Sequence, residues 1–193
     1  GSHMQNTSER LATDLHTGLW SIAMTDCGGT TGYWWWNEID DANLYGEFNA
    51  LHRFLAGYDR RGKLLKSRQG LVARKLDLTE NSCFASHPTR SALVLSNETE
   101  LFAYVYHQLM NSGLIAPASP EDPRFELSKD VYLQIPEDIR EGKYKVEFWN
   151  TTLGEISETR EIVLQSPGET PRYLELLPLR IDVAIKLIRQ TDE

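Results

Sequence analysis

The sequence predicts an α+β protein in which a helix, strand and helix segment precedes an antiparallel β-sandwich. Apolar residues recur every three or four positions in the first third of the chain and alternate with period two after about residue 65. Turn-forming residues divide this second part into short segments. The first four residues are typical of an expression tag. We therefore expect residues 5–66 to form the helix-strand-helix segment and residues 67–193 to form the sandwich domain.

Two helices and a strand are predicted in the first segment. Apolar residues at helical spacing predict a helix over 7–25, which ends at a pair of glycines. The run 32–36 holds four consecutive aromatic residues without polar alternation, which predicts a strand buried on both faces. Helical spacing returns over 41–58. The basic stretch 60–68 has no periodicity and is interpreted as a solvated linker, or as a helix terminus followed by a connection.

Seven or eight short strands are predicted after this linker. Their apolar residues alternate, and no helical pattern separates them, which indicates a sandwich. A stretch rich in Pro, Ser and Gly over 111–124 is predicted to be a long loop. The strands are predicted at 72–78, 91–95, 101–106, 131–135, 144–149, 162–164 and 181–187.

The charge and composition exclude several classes of partner. The formal net charge is −8, so the surface field repels phosphate backbones and nucleic acid is not an expected partner. No apolar stretch approaches the roughly 20 residues of a membrane helix, so no membrane partner is predicted. Cys27 and Cys83 are too few for a disulfide framework or a thiolate zinc site, and are expected to be unpaired and at least half-buried. The histidines lack metal-ligand spacing, and neither a metal site nor a cofactor is predicted.

Five stretches of the chain resemble a known family. They are Leu-His-Thr-Gly-Leu-Trp at 15–20, Gly-Gly-Thr-Thr-Gly-Tyr-Trp-Trp-Trp-Asn at 28–37, Asn-Leu-Tyr-Gly-Glu-Phe at 43–48, Gly-x-Tyr-x-Val-x-Phe-Trp-Asn from 142, and Leu-Pro-Leu-Arg-Ile-Asp-x-Ala-x-Lys at 177–186. The first three resemble the last βα units of cellulase-like (β/α)8-barrel glycoside hydrolases. The last two resemble the β-sandwich domain that follows the barrel in those proteins.

This resemblance implies a function and a location. Residues 5–66 would be the terminal helix-strand-helix segment of a barrel, and the parent protein would hydrolyse a poly- or oligosaccharide. The two catalytic glutamates of the family lie at the ends of earlier strands, so no catalytic residue is expected here and the chain alone is expected to be inactive. A secreted or periplasmic location is implied by the resemblance only. The alternative is a non-catalytic module that binds carbohydrate or docks another domain.

The aromatic run holds the candidate substrate-binding residues. Trp34 and Trp36 share one face of the predicted strand, which in a barrel would end at the active-site face, where an indole can stack on a sugar ring. Asn37 and Glu38 close the strand and could bind sugar hydroxyls. Plain core packing also explains the tryptophans, and a solvated helix N-terminus also explains the acidic residues.

Two further expectations concern aromatic surfaces. A single buried strand has no sheet to join, so 33–36 should either lose strand geometry or pair with a second copy, giving a homodimer, or contact the missing part of the barrel. On the sandwich, Trp149 is expected opposite the core face of its strand, and Tyr104 and Tyr106 share a face. These aromatics fit glycan binding, cross-strand packing or a domain interface.

Overall fold

The computed structural model describes residues 2–27, 36–76, 83–112, 124–168 and 171–190. In these residues the helices come first and the strands follow, which confirms the α+β prediction. The helices are α1 (Ser2–Ala23), α2 (Trp36–Asp41) and α3 (Tyr45–Leu55), with a short 3₁₀ helix at Gln108–Ser112. The strands are β1 (Lys66–Gly70), β2 (Val72–Leu76), β3 (Cys83–Ser86), β4 (Arg90–Ser96), β5 (Glu100–His107), β6 (Val131–Ile135), β7 (Gly142–Asn150), β8 (Glu155–Leu164), β9 (Arg172–Glu175) and β10 (Asp182–Arg189).

The described strands form two antiparallel sheets. The larger has the order β1-β4-β5-β10-β7-β8, and the smaller has the order β3-β2-β6-β9. Their facing sides enclose a core to which both contribute alternate apolar residues, such as Leu133 of β6 and Val146 of β7. The predicted alternation of Val131, Leu133 and Ile135 is confirmed, because all three are buried in this core. The two sheets therefore form the predicted sandwich.

The helices cover the outer face of the larger sheet. Leu15 and Leu19 repeat at a four-residue interval on α1, and Phe54 lies on the buried face of α3. They join a second core with Phe102, Tyr104 and other residues of the sheet. Burial on both sides explains why every residue of β5 is buried. The molecule thus has three layers, of which the six-stranded sheet is the middle one.

The C-terminal end of α1 is held by a residue from the stretch predicted as a linker. The Arg60 guanidinium donates to the carbonyl oxygens of Ala23 and Thr25, at 2.9 Å and 2.7 Å. A helix leaves its last carbonyl groups without intrahelical partners, so the bond to Ala23 satisfies one of them. The bond to Thr25 holds the chain just after the helix ends. Arg60 therefore fixes where the chain leaves the first helix relative to the start of the sandwich.

Several predicted boundaries are wrong. The stretch 60–68 is not a linker throughout, because β1 begins at Lys66 and pairs with β4. The helix predicted over 41–58 is observed as α3, which is shorter at both ends, and α2, β3 and β9 were not predicted. Cys27 and Cys83 are unpaired as expected, but both are exposed rather than half-buried. Most of the predicted loop at 111–124 lies outside the described residues.

Candidate functional site

The predicted substrate-binding residues lie at the start of α2. Trp36 is the first residue of this helix and is 73% exposed, and Asn37 and Glu38 beside it are also exposed. The prediction that Trp36 ends a strand is therefore wrong, and the argument from strand alternation does not apply to it. Trp34 and the rest of the predicted strand lie outside the described residues. The three described candidates are thus consecutive on one exposed helical turn.

Contacts below this turn fix α2 to the rest of the helical layer. Ile39 is 6% exposed and belongs to the core between helices and sheet. The Tyr45 hydroxyl donates to Oδ1 of Asp40 at 2.7 Å, which links the end of α2 to the start of α3. Trp36 is therefore presented on a helix with a buried anchor.

The aromatic residues of the sandwich are not exposed. Trp149 lies on the face of β7 opposite Tyr144 and Val146, as predicted, and Tyr104 and Tyr106 share a face of β5. The helices cover that face, so Tyr104 is 0% exposed and Trp149 is 8% exposed. The sequence left glycan binding, cross-strand packing and a domain interface open for these residues. They lie in the interface between the helical segment and the sandwich.

A buried ionic network joins the helices to the sheet. The His16 imidazole, on α1, contacts Oε2 of Glu47, on α3, through Nδ1 at 2.6 Å. Its Nε2 contacts Oδ2 of Asp182, at the start of β10, at 2.8 Å. A carboxylate can only accept, so each ring nitrogen donates and His16 is the charged imidazolium. One histidine therefore links three elements.

Asp182 has two further donors. The Tyr104 hydroxyl donates to its Oδ2 at 2.8 Å, and the Thr151 hydroxyl donates to its Oδ1 at 2.5 Å. Burial alone raises the pKa of the Asp182 carboxyl, but the charge of His16 and these hydrogen bonds outweigh it and lower the pKa. Burial, together with the negative charge of Asp182, raises the pKa of Tyr104. Asp182 is therefore ionised and Tyr104 is a neutral donor.

The protonation state of His16 decides what this network can do. Burial lowers the pKa of the imidazole, but the charges and hydrogen bonds of Asp182 and Glu47 outweigh it and raise the pKa to about 10. General base catalysis requires a nitrogen with a free lone pair, and His16 offers none near neutral pH. The network consequently positions α1 and α3 on the sheet rather than transferring protons.

A surface pocket of about 560 Å³ opens beside this network. His16, Glu47 and Asp182 contribute to one wall. Neutral hydrogen-bonding groups of the β7–β8 turn, including Thr152, and of β8, including Ser157, contribute to another. The lining thus combines the charged groups of the network with hydroxyls and apolar side chains. In the described ranges no group of three or more His, Cys, Asp or Glu side chains is arranged to hold a metal ion.

The sequence did not predict the His16 network as a site. His16, Glu47 and Asp182 lie in three of the stretches that carry the family resemblance, but no functional role was assigned to them. One signal was present, because Asp182 and Lys186 are the charged residues of the otherwise apolar stretch 181–188. Comparison with known protein families, with curated proteins and with solved structures finds no match to this chain. Over the described residues, no helix combines the length and the apolar character needed to cross a membrane.

Proposed function

We propose that this chain is a non-catalytic, carbohydrate-binding part of a glycoside hydrolase, and that it holds sugar against Trp36. The observation that carries the proposal is the exposure of Trp36, 73%, on a helix anchored to the molecule by a buried residue. An indole exposed in this way offers a flat apolar face on which the ring of a ligand can stack. The resemblance to cellulase-like hydrolases supports carbohydrate as the ligand.

The neighbouring residues suit this ligand. The apolar face of a pyranose ring stacks on an indole, and its hydroxyl groups then point to the sides. Asn37 supplies an amide that both donates and accepts, and Glu38 supplies an acceptor. Both side chains are exposed beside Trp36, so they can meet hydroxyl groups at the edge of the ring.

The proposal assigns binding, not hydrolysis, to this chain. Cleavage of a glycosidic bond uses a pair of carboxyl groups, one of them an acid and the other a base or nucleophile. The carboxylates of Glu47 and Asp182 face one another across His16, and both accept hydrogen bonds from its ring. They are therefore engaged in holding the helices and are not poised on a substrate.

Binding to a glycan array, followed by titration with the best neutral oligosaccharide, tests the proposal. We expect Trp36→Ala to raise the dissociation constant about tenfold, because one stacked ring is lost. Phe48→Ala is the matched control, because Phe48 is also an exposed aromatic residue but lies on α3. It should leave the affinity unchanged.

Two outcomes would overturn the proposal. One is that the wild-type chain binds no neutral glycan, which would favour docking of another domain at Trp36. The other is that Trp36→Ala and wild type bind with the same affinity, which would move the sugar to another surface. The aromatic run was also predicted to pair with the same segment of a second copy. Sedimentation over a range of concentrations tests whether such a homodimer forms.

A further inference from the structure

A second pocket of about 560 Å³ lies on a different part of the molecule and is rich in hydrogen-bond donors. It is formed by the ends of β2 and β5, the residues before β4, and the segment before β6. Cationic side chains at its wall are Arg74, Lys75, Arg124 and Lys129, and the carboxylates are those of Glu126 and Asp130. Cations therefore exceed carboxylates at this site, although the whole chain carries a net charge of −8.

Three of these cations are available to a ligand. Arg74, Lys75 and Lys129 are exposed. None of them forms an ion pair with a carboxylate in the described part of the chain. By contrast, Arg68, Arg140 and Arg160 of the sandwich surface are each paired with a carboxylate, Arg68 with Asp138 at 2.7 Å. The pocket thus gathers positive charge that the protein itself does not neutralise.

Two histidines at the wall are neutral donors. The backbone N–H of Thr89 donates to Nδ1 of His87 at 3.3 Å. The backbone N–H of Leu109 donates to Nδ1 of His107 at 3.2 Å. Since a backbone N–H can only donate, each Nδ1 is an acceptor and the ring proton of each neutral imidazole is on Nε2. Each histidine therefore has an N–H group left for a ligand.

A buried arginine strengthens the positive field behind the wall. Arg90 is 3% exposed. Its guanidinium donates to Oγ of Ser128 at 2.9 Å and to the carbonyl oxygen of Glu126 at 3.1 Å, both on pocket-lining residues. Its remaining acceptors are the carbonyl oxygens of Leu179, Arg180 and Ile181. Every one of these acceptors is neutral, so the charge of Arg90 has no hydrogen-bonded counterion.

Burial and nearby positive charge both act on the two histidines. Burial, then the positive charges of Arg90 and Arg74, lower the pKa of His87 to about 4. Burial and then Arg90 likewise lower the pKa of His107. Both rings are therefore neutral at neutral pH, and Arg90 acts on each of them through its charge.

We propose that this pocket binds an oxyanion group, held by Arg74, Lys75 and Lys129 together with the Nε2–H groups of His87 and His107. A carboxylate, sulfate or phosphate group only accepts hydrogen bonds, and these side chains only donate. The charge of Arg90 adds a fixed attraction that requires no reorganisation on binding. The volume admits more than a free ion, so the anionic group of a uronic acid or of a sulfated sugar also fits.

Titration followed by the NMR signals of the histidine rings tests this site and distinguishes a free anion from an acidic sugar as its ligand. The probes are sodium sulfate, sodium phosphate and glucuronate, at constant ionic strength, with glucose as the neutral control. We expect a saturable shift of the His87 signals and a rise of the pKa of His87 from about 4, because the anion offsets the arginines. Saturation by inorganic ions alone would indicate a free anion, and tighter saturation by glucuronate would indicate an acidic sugar.

A charge-matched pair of variants identifies the residues. The double variant Arg74→Ala and Lys75→Ala should bind the probes about tenfold more weakly, since two charge-assisted contacts are lost. The control removes Arg61 and Lys66, two exposed cations that do not line the pocket, and changes the net charge equally. It should bind as wild type does.

Two results would overturn the site. One is a shift of the His87 signals in wild type that does not saturate with anion concentration. The other is an equal loss of anion affinity in the two double variants, which would show a general effect of net charge. The outcome is separate from that for Trp36. Trp36→Ala should leave anion binding intact, and loss of Arg74 and Lys75 should leave neutral glycan binding intact. Arg90 is kept in all variants, because its substitution would leave buried carbonyl groups without donors.

Discussion

His16 and Asp182 are 166 positions apart in the chain, and Nε2 of His16 donates to Oδ2 of Asp182 at 2.8 Å in the interior. This pair connects the first helix to the last strand. Both side chains are buried, and the second nitrogen of the same ring is bound by Glu47. The orientation of the helical layer on the sheet therefore depends on one charged group surrounded by acceptors.

Asp182→Asn should destabilise the protein by about 3–5 kcal/mol, the usual cost of breaking a buried ion pair by removing one charge. The His16 imidazolium would lose the more deeply buried of its two counterions, and the hydrogen bonds from Tyr104 and Thr151 would weaken with the loss of charge. Urea denaturation followed by circular dichroism measures the change in the free energy of unfolding.

Asp59→Asn is the matched control for this substitution. Asp59 forms an ion pair with Arg61 on the surface, where both side chains are largely exposed. Exposed pairs of this kind contribute little to stability, so the control should be nearly neutral. Similar losses in the two variants would show that the buried network does not hold the helices.

The contribution of His16 should depend on pH in a defined direction. Its pKa is raised on folding from 6.5 to about 10, so its stabilisation is complete below pH 6.5 and is lost as the pH rises through about 10. Over that window the loss is at most about 1.4 kcal/mol per pH unit for one group. His16→Gln should therefore destabilise most near pH 6 and progressively less towards pH 10.

Denaturant titrations of wild type and variant at several pH values test this dependence, and the difference between the two curves removes the contribution of other groups. His52→Gln is the control, because His52 is exposed on α3. At pH 6 this control should destabilise the protein far less than His16→Gln does, because the His52 side chain is exposed. A His16→Gln difference that is constant from pH 6 to pH 10 would contradict the charged state assigned to His16.

How much of the fold could be predicted depends on what holds each strand. β6 was predicted correctly because one of its faces is apolar and the other is not, which gives the alternation Val131, Leu133, Ile135. β1 was missed because it is held to β4 by backbone hydrogen bonds while its side chains are polar. Patterns of side-chain hydropathy cannot reveal an edge strand of this kind.

The site was less predictable than the fold. Polar residues at alternate positions of a strand, such as Asp182 and Lys186 on β10, ordinarily indicate a solvent face. Here the helices cover that face, and the Lys186 ammonium lies 4.7 Å from the ring centre of Phe54 and 4.5 Å from that of Trp149. The packing of the layers decides which distant residues complete such contacts. Local periodicity in the sequence does not contain that information.

Gly154→Ala should destabilise the protein more than Gly57→Ala. Both glycines have positive φ, +64° and +74°, so an alanine at either costs about 1 kcal/mol of backbone strain. A Cβ on Gly154 would also lie 2.5 Å from Cα of Ala50, whereas one on Gly57 would meet nothing within 4 Å. Overpacking of this kind adds about 1–3 kcal/mol.

The difference between these two variants isolates the contact of the β7–β8 turn with α3, since the strain is common to both. Thermal or urea unfolding of the two proteins measures it. Equal destabilisation would mean that the turn and the helix do not touch in solution, and it would argue against the observed placement of α3 on the sheet.

Phe54→Ala should be among the most damaging substitutions in the helical layer. The Phe54 ring lies 5.1 Å from the ring centre of Trp20 and 5.5 Å from that of Trp149, both in edge-on geometry, and the side chain is fully buried. Its removal opens a cavity where α3 meets the sheet, and such changes cost about 3–5 kcal/mol. Phe48→Ala, on the same helix, removes a ring that is 36% exposed and should cost about 1 kcal/mol or less. Urea denaturation of both variants measures the two costs. Because the substitutions remove the same atoms from one helix, a larger loss for Phe54 reports burial against the sheet, and equal losses would contradict the second core.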